Sequence, residues 1–254
     1  MADIRVENCL DTMKGMASES VDLVVTSPPY DNLRTYNGYS FDFESIAQEL
    51  ARVMKPGGVI VWVVGDATIQ GTETGTSFRQ ALFFKELGFN LHDTMIYMAE
   101  KPPLTHRRYE QKFEYMFVFS KGKPKTFNPL LQETIYAGQN KQRRTMRQDG
   151  DELSNRSGKG FVKDYKIKGN VWVYSIGNNK SAKDKSAFKH PAIFPEQLAI
   201  DHIKSWSNIN DLVYDPFTGS GTTGLAAKKL SRRFIGSEIS ADYAQVAAER
   251  IDNG

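Results

Sequence analysis

The sequence predicts an α/β fold with a largely parallel central sheet and one inserted basic region. Three observations carry that expectation. Short apolar runs alternate with helix-period segments over most of the 254 residues. One such run, residues 212–214, opens a strand, glycine turn, helix and second strand that ends at Glu238. Charge is also uneven. Residues 121–189 hold 16 Lys or Arg against 6 Asp or Glu, while the remainder carries −7 within an overall +3. A basic segment on an acidic body points to a polyanionic partner, unless it is simply a solvated insert.

Taken in order, residues 3–8 alternate partly and form a short first strand, and 10–16 a short helix. Residues 21–25 are a compact apolar run, as in a buried parallel strand. The run stops at Ser27-Pro28-Pro29-Tyr30, because two prolines lack the N–H donors of a central strand. Residues 31–42 are polar and aromatic, a loop able to close over a substrate. Helical spacing follows over 43–54, stopped by Lys55-Pro56-Gly57-Gly58, and 59–64 is strand again. Residues 78–87 form an amphipathic helix with Gly88 past its end. Strands are expected at 91–98 and 112–119, with a charged segment 101–109 between them. From 121 to about 169 the chain turns basic and poorly periodic. A strand at 170–176, a basic loop at 178–189, a helix at 196–206 and a last helix at 242–251 complete the reading.

The composition sets limits. With 40% hydrophobic residues a substantial core is available. The single cysteine, Cys9, excludes an internal disulfide and a cysteine-cluster metal site. Residues 1–8 are polar, without the apolar region of a secretory signal. The longest strand-like run, 59–64, is far too short to span a bilayer.

Two strand ends carry the chemistry. At 215–224, Asp215-Pro216-Phe217-Thr218-Gly219-Ser220-Gly221-Thr222-Thr223-Gly224 satisfies G-x-G-x-x-G between a strand and a helix. Glycines allow close backbone approach, a helix N-terminus offers N–H donors, and an acid after the second strand can accept from ribose hydroxyls. This pattern points to a nucleoside-bearing cofactor. The plainer reading is a structural turn of an α/β domain. At 26–30, a hydroxyl, backbone carbonyls and an aromatic ring suit a planar amine, which would donate to the oxygens and stack on Tyr30. Otherwise it is a rigid turn. Ser27 has no neighbouring histidine, and His92, His106, His190 and His202 form no metal-binding spacing.

With these motifs in place, the sequence resembles the amino-methylating DNA methyltransferases that use S-adenosylmethionine. Three stretches carry the resemblance: Ser27-Pro28-Pro29-Tyr30, Phe217-Thr218-Gly219-Ser220-Gly221 and His190-Pro191-Ala192-Ile193-Phe194-Pro195. The catalytic motif comes first and the cofactor loop last, as in the circularly permuted beta group. The resemblance implies a Rossmann-like methyltransferase fold with an inserted DNA-recognition region. The expected division is a catalytic part at 1–121, a basic target-recognition region at 122–188 and a cofactor-binding part at 189–254.

The same resemblance implies roles. Ser27, Pro28, Pro29 and Tyr30 would serve the target base, turned out of the duplex. Asn8, Asp66, His190, Pro191, Phe194, Asp215, Phe217, Gly219, Gly221, Thr222 and Glu238 would bind S-adenosylmethionine. Many relatives carry Gly-Asp-Cys near the first strand, where this chain has Glu7-Asn8-Cys9. Arg143, Arg144, Arg147, Arg156, Lys159, Lys163, Lys166 and Lys168 are candidate phosphate contacts on double-stranded DNA. No metal is expected. Members of this arrangement often dimerise, although periodicity marks no dimer face. The setting implied is cytoplasmic, in a prokaryote or phage, within restriction–modification. Ser-Pro-Pro-Tyr favours cytosine N4 as acceptor, with adenine N6 the alternative. The rival of another class is a nucleic-acid-binding protein without turnover, which would need neither loop.

Overall fold

A computed structural model describes residues 2–29, 41–99, 109–139, 161–175 and 195–254. The first half contains β1 (Ala2–Arg5), α1 (Cys9–Lys14), β2 (Val21–Thr26), α2 (Phe43–Val53) and β3 (Met54–Val64). A small hairpin, β4 (Thr68–Ile69) and β5 (Thr72–Glu73), precedes α3 (Thr76–Glu86), β6 (Asn90–Ala99) and β7 (Phe113–Ser120). Then come β8 (Leu131–Glu133), β9 (Tyr165–Ile167) and β10 (Val171–Tyr174). The chain closes with α4 (Glu196–Trp206), β11 (Leu212–Asp215), α5 (Thr222–Lys229), β12 (Arg233–Ser237) and α6 (Ala241–Asn253).

Eight strands form one sheet in the order β1-β12-β11-β2-β3-β7-β6-β10. Strand β7 runs antiparallel to β3 and β6, and every other pairing in this sheet is parallel. The largely parallel sheet expected from the apolar runs is therefore present. Its central strands are buried along β2 apart from a half-buried Asp22 and along β3 from residue 58 onward, as parallel strands covered on both faces must be.

Local chemistry explains the helices. Helix α2 buries Ile46, Ala47, Leu50 and Val53, one face at helical spacing, and Asp42 caps it by accepting from the Ser45 N–H at 3.2 Å. Ser240 caps α6 in the same way, from the Tyr243 N–H at 3.4 Å. The core beneath α2 and α3 is aromatic. Trp62 is fully buried, its ring 5.3 Å from Phe84 and 6.0 Å from Phe43, and its indole N–H donates to Gln80 Oε1 at 2.8 Å.

Contacts divide the chain into two compact units, with Pro129–Gly169 as the smaller one. The region expected at 122–188 is thus not one unit. Asn128 belongs to the larger unit, where its side-chain amide donates to the carbonyls of Lys204 and Ser207. Strand β10 also lies there, paired with β6. Its alternating Trp172 and Tyr174 are buried, and the Tyr174 hydroxyl donates to Asp201 Oδ2 at 2.8 Å. The smaller unit contains the antiparallel pair β8–β9, with Leu131 opposite Ile167 and Gln132 opposite Lys166.

Candidate active site

Strands β2 and β11 are parallel neighbours, so the segments that follow them emerge at the same edge of the sheet. From β11 the chain crosses to β12 on one side, and from β2 it crosses to β3 on the other. That reversal makes a crevice at the carboxyl ends of the strands, the usual ligand position in open α/β sheets. The two motifs, far apart in sequence, therefore leave the sheet at the same edge, as far as Pro29.

Asp215 sits between them. It is 1% exposed, and its Oδ1 accepts from the Thr26 hydroxyl at 2.6 Å and from the Phe217 N–H at 3.0 Å. Burial pushes its carboxyl up from 3.8 to about 6, and the bonds from Thr26, Phe217 and Thr223 oppose that rise. Asp215, expected in the cofactor floor, thus has its Oδ1 engaged by donors of the protein itself. Through these bonds Asp215 braces the start of the loop against the end of β2.

Gly219 and Gly221 shape the turn. Gly221 has φ +79°, and an added Cβ would lie 2.9 Å from the Cα and Cβ of Ala247 on α6. The Gly219 N–H donates to Glu238 Oε2 at 2.9 Å, and Glu238 Oε1 accepts from the Ser240 N–H at 2.9 Å. Burial raises the Glu238 carboxyl above its ordinary value, and these N–H donors oppose the rise. The acid after the second strand thus stands beside the glycine turn. Phe217 is half-buried, its ring 5.7 Å from Phe41 and 6.4 Å from Trp62, and so ties the turn to the aromatic core. Thr222 is buried at the start of α5.

Several residues here had no role assigned from the sequence. The Thr223 hydroxyl donates to the carbonyl of Val25 on β2 at 3.2 Å. Arg250, buried on α6, donates to the Ser220 carbonyl and to Ser220 Oγ at 3.0 Å. Thr26 is fully buried at the end of β2. Only the pairing of distant strands and helices reveals these contacts.

Two expected cofactor contacts have other partners. Asn8 caps α1, its Oδ1 accepting from the Leu10 N–H at 2.9 Å. Asp66 follows β3 and accepts from the Ser77 N–H at 2.8 Å and the Ser77 hydroxyl at 2.6 Å. It caps α3, whose own N-cap, Gly75, has no side chain to do so. In both cases a carbonyl or carboxylate oxygen beside a helix start is drawn to the free N–H groups there. Ser27 and Pro29 are half-buried and Pro28 is buried at the end of β2. Tyr30, His190, Pro191, Phe194, Arg143, Arg144, Arg147, Arg156 and Lys159 lie outside the described residues. In the smaller unit, Lys163 and Lys166 are exposed and Lys168 is half-buried. Among the described residues no group of His, Cys, Asp and Glu is arranged to hold a metal ion, and no helix is long and apolar enough to cross a membrane.

A family model described as DNA methylase matches residues 21–249. The chain is 55% identical over 238 residues to the orphan methyltransferase M.BamHII of Bacillus amyloliquefaciens, covering 92% of this chain and 89% of that one. Among solved structures, it resembles the PvuII DNA methyltransferase (cytosine-N4-specific) with a TM-score of 0.69 at 22% identity, over 97% of this chain and 85% of that one. A DNA modification methylase of Thermus thermophilus, complexed with S-adenosyl-L-methionine, is similar with a TM-score of 0.63 at 24% identity, over 100% and 95%. At those identities the two structures show the fold.

Proposed function

The chain belongs to the DNA methylase family, and from that premise we propose that it methylates the exocyclic amino group of a base turned out of duplex DNA, with cytosine N4 the favoured acceptor. The observation that carries this reading is the meeting of β2 and β11, which brings the Ser27-Pro28 segment beside the glycine turn. A protein that only bound DNA would need neither loop, nor a buried carboxylate between them.

The residues present fit S-adenosylmethionine as the methyl donor. A glycine turn that a Cβ would fill, the N-terminus of α5 and the Glu238 carboxylate beside Gly219 together suit a nucleoside. When bound, the cofactor supplies an electrophilic methyl group on a sulfonium sulfur. Glu238 would accept from the ribose hydroxyls, and the backbone around Gly219 and Gly221 would form the floor, with Phe217 and Thr222 beside it. The resemblance implies that His190, Pro191 and Phe194 would help enclose the methionine end.

On the other side, the Ser27 hydroxyl and the Pro28 carbonyl accept the hydrogens of the target amine and aim its nitrogen. Tyr30 stacks on the base. The protein's contribution is alignment and electrostatics, and the amine proton leaves to solvent. Within residues 122–188, the exposed Lys163 and Lys166 of the smaller unit are among the phosphate-binding groups. A homodimer is the assembly expected, and sedimentation at several concentrations measures it.

Adenine is larger than cytosine, but both present a planar amine beside a ring nitrogen. The carrying experiment methylates mixed-sequence DNA with isotope-labelled S-adenosylmethionine, digests it to nucleosides and separates them by mass. Label in N4-methylcytosine nucleoside is the expected result. Label in N6-methyladenine nucleoside alone would move the acceptor to adenine and leave the rest standing.

A further inference from the structure

Backbone pairing between β2 and β11 runs through Leu23–Val213 and Val24–Tyr214. Beyond Val24 and Tyr214, the segments that continue the two strands are joined by side-chain hydroxyls. Thr26 donates to Asp215 Oδ1 at 2.6 Å, and Thr223, in the first turn of α5, donates to the Val25 carbonyl at 3.2 Å. Both hydroxyl residues are fully buried. Asp215 passes the constraint on, because the same Oδ1 accepts from the Phe217 N–H, and its own carbonyl accepts from the Thr218 hydroxyl at 3.1 Å. The residue after Thr26 is Ser27, and the residue two before Thr223 is Gly221.

We propose that Thr26 and Thr223 are positioning residues for methyl transfer, two hydroxyl struts that fix the distance between the base-binding segment and the cofactor loop. The proposal rests on the methyltransferase reading above. Neither residue touches a reacting atom in this scheme. Each holds one loop against the other, so that the amine and the methyl group meet in line. A small misplacement of reacting groups slows the chemical step strongly while leaving each binding site nearly intact.

The test uses Thr26→Val and Thr223→Val, which keep the shape and remove the hydroxyl, beside Thr26→Ser and Thr223→Ser, which keep it. The full chain is assayed with labelled S-adenosylmethionine on unmethylated mixed-sequence DNA. Calorimetry measures cofactor affinity, and thermal melting identifies the folded variants. Each Val variant should lose roughly 10- to 100-fold in kcat. Cofactor affinity and KM for the cofactor should hardly change, and each Ser variant should recover most of the rate. Two sites keep the test decisive if one Val variant does not fold. Wild-type kcat in the folded Val variants would overturn the inference. So would a loss confined to cofactor affinity, or equal losses in the Val and Ser variants. If the wild-type enzyme itself transferred no methyl group, the underlying reading would fail instead.

Discussion

Replacing Asp215 by Asn should change how stability depends on pH, and the size of the change can be worked from the site. The Asn side chain is nearly isosteric, and its oxygen can still accept from Thr26 and Phe217. What it loses is the ionisable carboxyl. Burial raises that carboxyl from 3.8 to about 6, so the folded state holds the proton more tightly than the unfolded chain. The stabilising contribution is therefore fully present below pH 3.8 and is lost as pH rises through about 6. At about 1.36 kcal/mol per pKa unit, the loss is about 3 kcal/mol. Urea unfolding of both proteins from pH 4 to pH 8 measures it. The stability of wild type relative to Asp215→Asn should fall across pH 4–6 and level off above. A constant difference, or one that grows in favour of wild type as pH rises, would refute the burial argument.

Other perturbations follow from the same geometry. Gly221→Ala forces a Cβ onto Ala247 at positive φ and should cost about 1–3 kcal/mol of stability, read as a lower melting temperature. Glu238→Ala should weaken S-adenosylmethionine binding by about 1.5–3 kcal/mol, the range for hydrogen bonds to a charged group, with calorimetry as the measure. DNA affinity should fall with salt, and Lys166→Ala should reduce the log–log salt slope by about 1 while weakening different sequences alike. An unchanged slope would remove Lys166 from the phosphate contacts.

The elements were legible where local signals and the fold agreed. Pro195, the helical spacing after it and the polar stretch past Trp206 mark α4 with the bounds the structure has. Lys55-Pro56-Gly57-Gly58 misled, since it reads as a turn yet lies within β3. Its backbone finds partners some sixty residues on, through Gly57 N–H to Lys121 O at 2.6 Å and Lys125 N–H to Gly57 O at 2.9 Å. Gly224 read as part of the turn and is helical instead. It is small because Ile251 and Phe234 press on it, a packing reason that no turn rule contains. At the site, the sequence marks residue types but not the partners that each one takes. Asp215, Asn8 and Asp66 are acceptors beside unsatisfied N–H groups or hydroxyls, and a single sequence does not say which partner each will take. Thr26, Thr223 and Arg250 act across strand and helix pairings that only the tertiary structure creates.

The order of strands also bears on how the molecule is made. Strand β1 pairs with β12, and β2 pairs with β11, so the earliest strands wait for some of the latest. At a synthesis rate of roughly 5–20 residues per second, β2 spends on the order of ten seconds or more with one edge unfilled. That edge belongs to the apolar run Val21–Thr26, which invites pairing with other chains in the interval. The segments that follow β2 and β11 cannot come together on the ribosome before β11 has emerged. Such long-range closure predicts slow folding for a domain of this size, and a yield that improves when crowding by sister chains is reduced.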